Sequence, residues 1–142
     1  MNLTAALICL AQTVFFEARG EPFLGKVAVA SVVMNRTLDR RFPDNVCDVV
    51  KQGPTYKSRP DIPVRHRCQF SFYCDGKSDK LNFRLLSAQE SVAVAYKVLA
   101  GQVPDVTGGA TFYHATYVRP EWASYKKKTV KINNHFFYKT RP

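Results

Sequence analysis

The sequence predicts an α+β fold, mainly helical, with a small antiparallel β-sheet at its C-terminal end. Three observations carry this expectation: an apolar stripe at helical spacing over the opening residues, two further helix-length apolar segments around 27–36 and 83–100, and a β-flavoured tail that follows Gly108-Gly109. With 142 residues, 46% of them hydrophobic, the chain can bury one substantial core and falls short of two. Residues 1–142 are therefore expected to form one domain.

Leu3, Leu7, Leu10, Val14 and Glu17 recur at alternating steps of four and three, which places them on one stripe of a helix from about Thr4 to Ala18. The stripe ends in a carboxylate. Gly20 is expected to stop this helix in the left-handed conformation that glycine adopts without steric cost. Pro22 suits the first turn of a second helix, which carries Val27, Val29, Ala30, Val32, Val33 and Met34 to about Arg36. Asp44 follows Pro43 and precedes Val46-Cys47-Asp48-Val49-Val50, the pattern of a short capped helix. Residues 52–68, with Gly53, Pro54, Pro60 and Pro63, read as loop. A longer helix is predicted from about Phe83 to Ala100, with Leu86, Val92 or Ala93, Tyr96 and Leu99 on its buried side and Gly101 closing it. Beyond Gly108-Gly109, the segments Ala110-Thr111-Phe112-Tyr113-His114, Thr129-Val130-Lys131-Ile132 and His135-Phe136-Phe137-Tyr138 supply the sheet.

No Pro/Gly/Ser-rich run and no fixed-period repeat divides the chain, so neither a linker nor a solenoid is indicated. The formal net charge of +10 favours an anionic partner such as nucleic acid, an acidic membrane surface or an acidic wall polymer. Its cations gather locally at Arg36, Arg40 and Arg41, at Arg59, Arg65 and Arg67, and at Lys126, Lys127 and Lys128, where a solvated surface is the ordinary explanation of each group. The apolar start from Met1 to Phe16 lacks a basic leader region and runs into Glu17-Ala18-Arg19 without a small-residue cleavage site, so the chain is expected to be made in the cytoplasm without a signal peptide. No stretch reaches the roughly 20 apolar residues of a bilayer span, and stable membrane insertion is not expected. Cys9, in the first apolar segment, reads as a buried free thiol, while one disulfide among Cys47, Cys68 and Cys74 is open to a protein that works outside the cytoplasm. The cysteine spacing and the scattered histidines suit no zinc site, and no metal or cofactor is expected.

Glu17 is the first candidate for chemistry. Its helical phase turns it towards the packed side, while the Gly20 turn leaves room for a ligand. A partly desolvated carboxyl group has a raised pKa and can hold a proton near neutrality, as a general acid must. The competing reading is an ion pair with Arg19, Arg36 or another cation, and spacing leaves both open. Glu21 could be a second carboxylate, although its place beside Pro22 is explained by the positive end of a helix dipole. Asp44, Asp48, Asp75 and Asp105 lie beside turns, where Asp is common. His114 and His135 sit in β-flavoured segments and could face a groove or be ordinary hydrogen-bonded residues. Tyr113, Tyr138, Phe70, Phe72 and Trp122 could stack on the apolar faces of sugars or simply fill the core. Phosphate loops, dinucleotide fingerprints and a Gly-x-Ser-x-Gly elbow are missing.

The string Glu17-Ala18-Arg19-Gly20-Glu21-Pro22, after Phe15-Phe16 and before an alternating Val/Ala segment, resembles the SleB/CwlJ-type cell-wall hydrolases. The likeness continues through Val27 to Arg36, Arg41 to Val50, Cys68-Gln69-Phe70-Ser71-Phe72, Gly109 to Ala115 and Ile132 to Tyr138, nearly the whole chain. It implies a lysozyme-like domain acting on peptidoglycan, with Glu17 as catalytic acid/base. Gln69, Phe70, Ser71, Tyr113, His114 and His135 are then candidates to hold the substrate. Asn133 departs from the family pattern, where Gly is expected. The lack of a separate wall-binding module, the lack of a signal and the positive charge together resemble a compact phage endolysin, released to the wall or periplasmic peptidoglycan from the cytoplasm.

Such an enzyme would cut the β-1,4 bond between N-acetylmuramic acid and N-acetylglucosamine. A hydrolase needs a second carboxylate, and none is convincing here, so a lytic transglycosylase is expected over a muramidase. An amidase is the other enzymatic alternative, usually zinc-dependent, with no obvious ligand set in the chain. A basic nucleic-acid-binding module would explain the charge and leave the acidic end of the first helix without a role. Peptidoglycan rather than nucleic acid is the expected partner, and a monomer the default.

Overall fold

The computed structural model describes residues 3–142. Helix α1 (Leu3–Ala18) is joined by a short turn to α2 (Phe23–Thr37), and a brief α3 (Val46–Val50) follows. A two-stranded hairpin, β1 (Thr55–Tyr56) and β2 (Arg59–Pro63), and a single 3-10 turn at Ser71–Cys74 precede α4 (Leu86–Leu99). The chain then forms β3 (Phe112–Ala115), a second 3-10 turn at Glu121–Ser124, β4 (Lys127–Ile132) and β5 (His135–Lys139). The α+β class expected from the sequence holds, with helices first and a three-stranded antiparallel sheet of order β3-β5-β4 last.

Helix α2 is the centre of the fold. Every residue from Gly25 to Val33 is buried, so a run rich in β-branched valines stays helical because packing outweighs its weak helix propensity. Val27, Ala30 and Val33 meet Leu10 and Val14 of α1, Val46 and Val49 of α3 and Val94 of α4 in the main core. Ala28 and Val32 face the other way, against Ala110 and Phe137, and so dock the sheet onto the helices. Fully burying one such side chain stabilises the fold by about 1.5–3 kcal/mol.

Several expectations change. Leu3 is 68% exposed, and α1 buries Ala6, Cys9, Leu10, Ala11, Thr13 and Val14, a face rotated from the predicted stripe. Gly20 is not in the left-handed region, and Pro22 caps α2 from outside rather than entering its first turn. Asn45, not Asp44, caps α3, its side chain accepting from the Asp48 amide at 3.0 Å. Residues 52–68 contain the β1–β2 hairpin, whose Pro60 and Pro63 are tolerated because this pair lies outside the main sheet and is largely exposed. Helix α4 buries Ala88, Ser91, Val94 and Ala95, while Leu86 and Tyr96 are exposed; small residues let it lie close along α1 and α2. Gly101 closes it with a positive φ of 71°, as expected.

All four cysteines are paired. Cys9 bonds Cys47, tying α1 to α3, and Cys68 bonds Cys74 around the first 3-10 turn, so the free-thiol reading of Cys9 is overturned. Arg36 leaves its surface group as well: it is 4% exposed, with its guanidinium over the rings of Phe42, Phe70 and Phe112 and its Nε donating to the Thr111 carbonyl at 2.7 Å.

Two devices set the sheet against α2. Asn35 donates to Asp105, Thr107 and the Ala110 carbonyl, and Asp105 accepts from the amides of Thr107 and Gly109; together they pin the turn in which Gly108 and Gly109 take φ values of 69° and 80°. Asp105 thus serves a turn, as expected. The β4–β5 hairpin closes through Asn133-Asn134, where Asn133 has φ 51°; asparagine tolerates this conformation, which accounts for its replacing the glycine expected there. Among the described residues no helix is long and apolar enough to cross a membrane.

Candidate active site

Glu17 lies in the last turn of α1, half-buried, where the helix end meets β3. The hydroxyl of Tyr113 donates a short hydrogen bond to Glu17 Oε1, joining residues 96 apart in the chain. Burial raises the Glu17 pKa above the ordinary carboxylate value, and the Tyr113 hydrogen bond partly offsets that rise. Burial, together with the neighbouring carboxylate, holds the Tyr113 phenol well above its usual pKa, so it remains a donor. One carboxyl oxygen of Glu17 is therefore fixed, and the other is left to carry a proton. The alternative ion pairs do not form: Arg19 lies over the Phe15 ring at 4.7 Å, Arg36 is stacked as described, and no cation among the described residues pairs with Glu17.

The balance of these effects is measurable. Tyr113→Phe removes the hydrogen bond and leaves the burial, so the Glu17 pKa is expected to rise further, read by NMR titration of its side-chain carboxyl carbon. An unchanged or lower value would show that the phenol does not stabilise the carboxylate.

Strand alternation sorts the other candidates. Tyr113, His135 and Phe137 share one face: the Tyr113 and His135 rings meet edge-to-face at 5.2 Å, and Tyr113 lies 5.8 Å from Phe137. His135 thus stands beside Tyr113. Burial, with a smaller contribution from His114, lowers its pKa against the opposing pull of Glu21. Its Nδ1 lies 3.0 Å from Glu21 Oε1, within ion-pair reach but off the N–H direction, since this atom makes no aligned hydrogen bond. Glu21 is only 9% exposed. It does precede α2, as the dipole reading required, yet its side chain serves a contact across the fold.

His114 belongs to the opposite face. Its Nε2 lies 2.8 Å from the Tyr138 hydroxyl and its Nδ1 2.7 Å from the Ala115 carbonyl, away from Glu17, because a strand turns successive side chains to opposite sides. Phe70 is buried in the main core beneath Arg36 and leaves the set of substrate contacts for that reason. Its neighbours Gln69 and Ser71 are exposed on the loop that Phe72 anchors by stacking on Phe16, 4.9 Å away, next to Glu17. Neither hydrogen-bonds to Glu17 or Tyr113. Sequence reasoning missed Arg36 and the Glu21–His135 contact. The rings around Arg36 come from Phe42, six residues on, and from Phe70 and Phe112 in distant segments, which no local signal brings together. Among the described residues no three His, Cys, Asp or Glu side chains converge as a metal site would require.

Residues 20–138 match the family model described as Cell Wall Hydrolase, a range that begins three residues after Glu17. The chain is 31% identical to the spore cortex-lytic enzyme of Halalkalibacterium halodurans over 129 residues, 90% of this chain and 33% of that protein. With the spore cortex-lytic enzyme of Bacillus subtilis it shares 51% identity over 41 residues, 29% of this chain and 13% of the relative. It therefore spans at most a third of the length of these relatives. Among solved structures it is similar to the catalytic domain of the Bacillus cereus SleB protein, with TM-score 0.66 and 28% identity over 96% of this chain and 91% of that one. The catalytic domain of the germination-specific lytic transglycosylase SleB from Bacillus anthracis gives TM-score 0.62 and 26% identity over 94% and 93%.

Proposed function

The chain belongs to the SleB/CwlJ family of cell-wall hydrolases, and on that premise we propose that it is a peptidoglycan-cleaving enzyme with Glu17 as its catalytic acid, acting as a lytic transglycosylase. The observation that carries the reading is the half-buried Glu17 carboxyl, held at one oxygen by Tyr113 and kept protonated to higher pH by burial.

In this mechanism protonated Glu17 gives its proton to the glycosidic oxygen between N-acetylmuramic acid and N-acetylglucosamine. The bond from that oxygen to C1 of the muramic residue breaks as the sugar ring gains positive charge. The residue's own 6-hydroxyl then attacks C1, and its proton passes to the Glu17 carboxylate, which restores the acid and leaves a 1,6-anhydro ring. Tyr113 orients the carboxyl group. Gln69 and Ser71, exposed beside the end of α1, and His135, beside Tyr113, are the proposed partners for the N-acetyl groups and developing charge. A hydrolytic muramidase would need a second carboxylate near the bond; Glu21, the nearest along the chain, is turned to His135.

The proposal takes residues 1–142 as one catalytic domain, monomeric, with peptidoglycan and not nucleic acid as partner. Two disulfides suit a protein that works outside the reducing cytoplasm. The net charge of +10 suits the finer reading of a phage endolysin, which must reach an anionic wall.

Mass spectrometry of digested peptidoglycan is expected to show 1,6-anhydromuramic ends. Reducing muramic ends would replace the transglycosylase by a hydrolase, and freed stem peptides on intact glycan would make the enzyme an amidase.

A further inference from the structure

The sheet has a second face, and its chemistry is the opposite of that around Glu17. There a concave cavity of about 330 Å³ is lined by Arg119, Lys126, Lys128 and Arg141, with His114 and Tyr138 among its walls. None of these four cations pairs with a carboxylate among the described residues. The segment 112–142 holds seven of the chain's 21 cations and, in Glu121, one of its 11 acids. Like charges gathered without counter-charge repel one another and weaken the fold, a cost that a bound anion would offset.

The cavity is also built to be rigid. His114 stacks on Tyr138 with centroids 5.2 Å apart, and the Tyr138 hydroxyl occupies its Nε2, so this imidazole serves as wall rather than as ligand partner. Trp122 meets the Tyr138 ring edge-on at 5.2 Å. The Lys128 ammonium is held 4.1 Å from the Phe136 centroid, and that of Lys126 3.9 Å from Phe112, which restrains both charges above rings. Cavities of roughly 300–1,000 Å³ receive small ligands or short segments, so the occupant is the size of a few residues and carries several negative groups.

We propose that this pocket is a second, non-catalytic binding site for the carboxylates of peptidoglycan stem peptides, so that one face of the sheet holds the wall while the other presents Glu17. The inference rests on the reading of the chain as a peptidoglycan-cleaving enzyme, because that polymer carries glycan and carboxylate-bearing peptide side by side. Separation of the two faces has a physical reason: a sugar ring gaining positive charge would be destabilised by cations beside it.

The test is direct binding of the soluble tetrapeptide L-alanyl-D-glutamyl-meso-diaminopimelyl-D-alanine, followed by calorimetry, with no cleavage involved. Replacing Arg119, Lys128 and Arg141, all exposed, by Gln is expected to weaken binding about tenfold, three exposed ionic contacts' worth. Replacing Lys57 in the β1–β2 turn, Lys127 and Lys139, which lie off the pocket, by Gln removes the same charge and is expected to leave binding near wild type. Equal losses in the two triple variants would reduce the site to diffuse charge and overturn it. So would equal binding of the peptide with its carboxylates amidated, or retention by untreated sacculi but not by sacculi stripped of phosphate polymers. Peptide binding without any glycan cleavage would instead count against the proposed enzyme and leave the pocket standing.

Discussion

Glu17→Gln is expected to lower the rate of peptidoglycan cleavage by about a thousandfold, the usual contribution of a general acid, while circular dichroism stays that of the folded protein. The amide keeps the shape and can still accept from Tyr113, but it has no proton of the right acidity to give. The pH dependence follows from the direction of the Glu17 shift. The acid must be protonated, so wild-type activity falls as pH rises through the raised folded-state pKa. Stability has its own sign: a carboxyl group whose folded pKa lies above its unfolded value binds more protons when folded, so its contribution is lost as pH rises between the two and stays lost above. Glu17→Gln is therefore expected to melt at or above the wild-type temperature at alkaline pH, with the difference closing as pH falls below the ordinary carboxylate range. Glu21→Gln should disturb His135 and reduce activity far less. Full activity in Glu17→Gln together with loss in Glu21→Gln would move the acid role from one carboxylate to the other.

The largest expected effect on stability belongs to the Cys9–Cys47 bond. It closes a 38-residue separation, and in the chain-entropy account a loop of that length restricts the unfolded state by about 4 kcal/mol. The double variant Cys9→Ala, Cys47→Ala should lose stability of that order, a large share of the roughly 5–15 kcal/mol that holds a domain of this kind together. Thermal melting with and without reductant checks it: wild type should fall sharply on reduction, and the variant by much less. The Cys68–Cys74 bond spans six residues and should contribute about half as much. A wild-type melting temperature indifferent to reductant would show that neither bond restrains the fold.

Much of the architecture was legible because it is local. The spacing that ends at Glu17 located α1, the Val/Ala run located α2, and Gly108-Gly109 announced the sheet, each within a few residues of its observed bounds. The rotated faces of α1 and α4 were not legible, since periodicity favours the large apolar residues. Leu86 and Tyr96 satisfied the pattern and are exposed, while Ala88, Ser91 and Ala95 are small enough to admit neighbouring helices and so are buried. Cysteine pairing was hidden for a related reason: nothing near Cys9 in the chain says that α3 will return beside it.

By itself, then, the sequence determined where the four helices and the C-terminal sheet lie, which carboxylate ends the first helix, and which family the chain belongs to, because helical phase, turn chemistry and short motifs act over a few residues; the β1–β2 hairpin it read as loop. Only the tertiary structure decided that Tyr113 reaches Glu17, that His135 meets Glu21, that His114 turns to the far face and that Arg36 is enclosed by aromatic rings. Those contacts join residues far apart in the chain, and their geometry is set by how the sheet docks onto α2 through Ala28, Val32, Ala110 and Phe137.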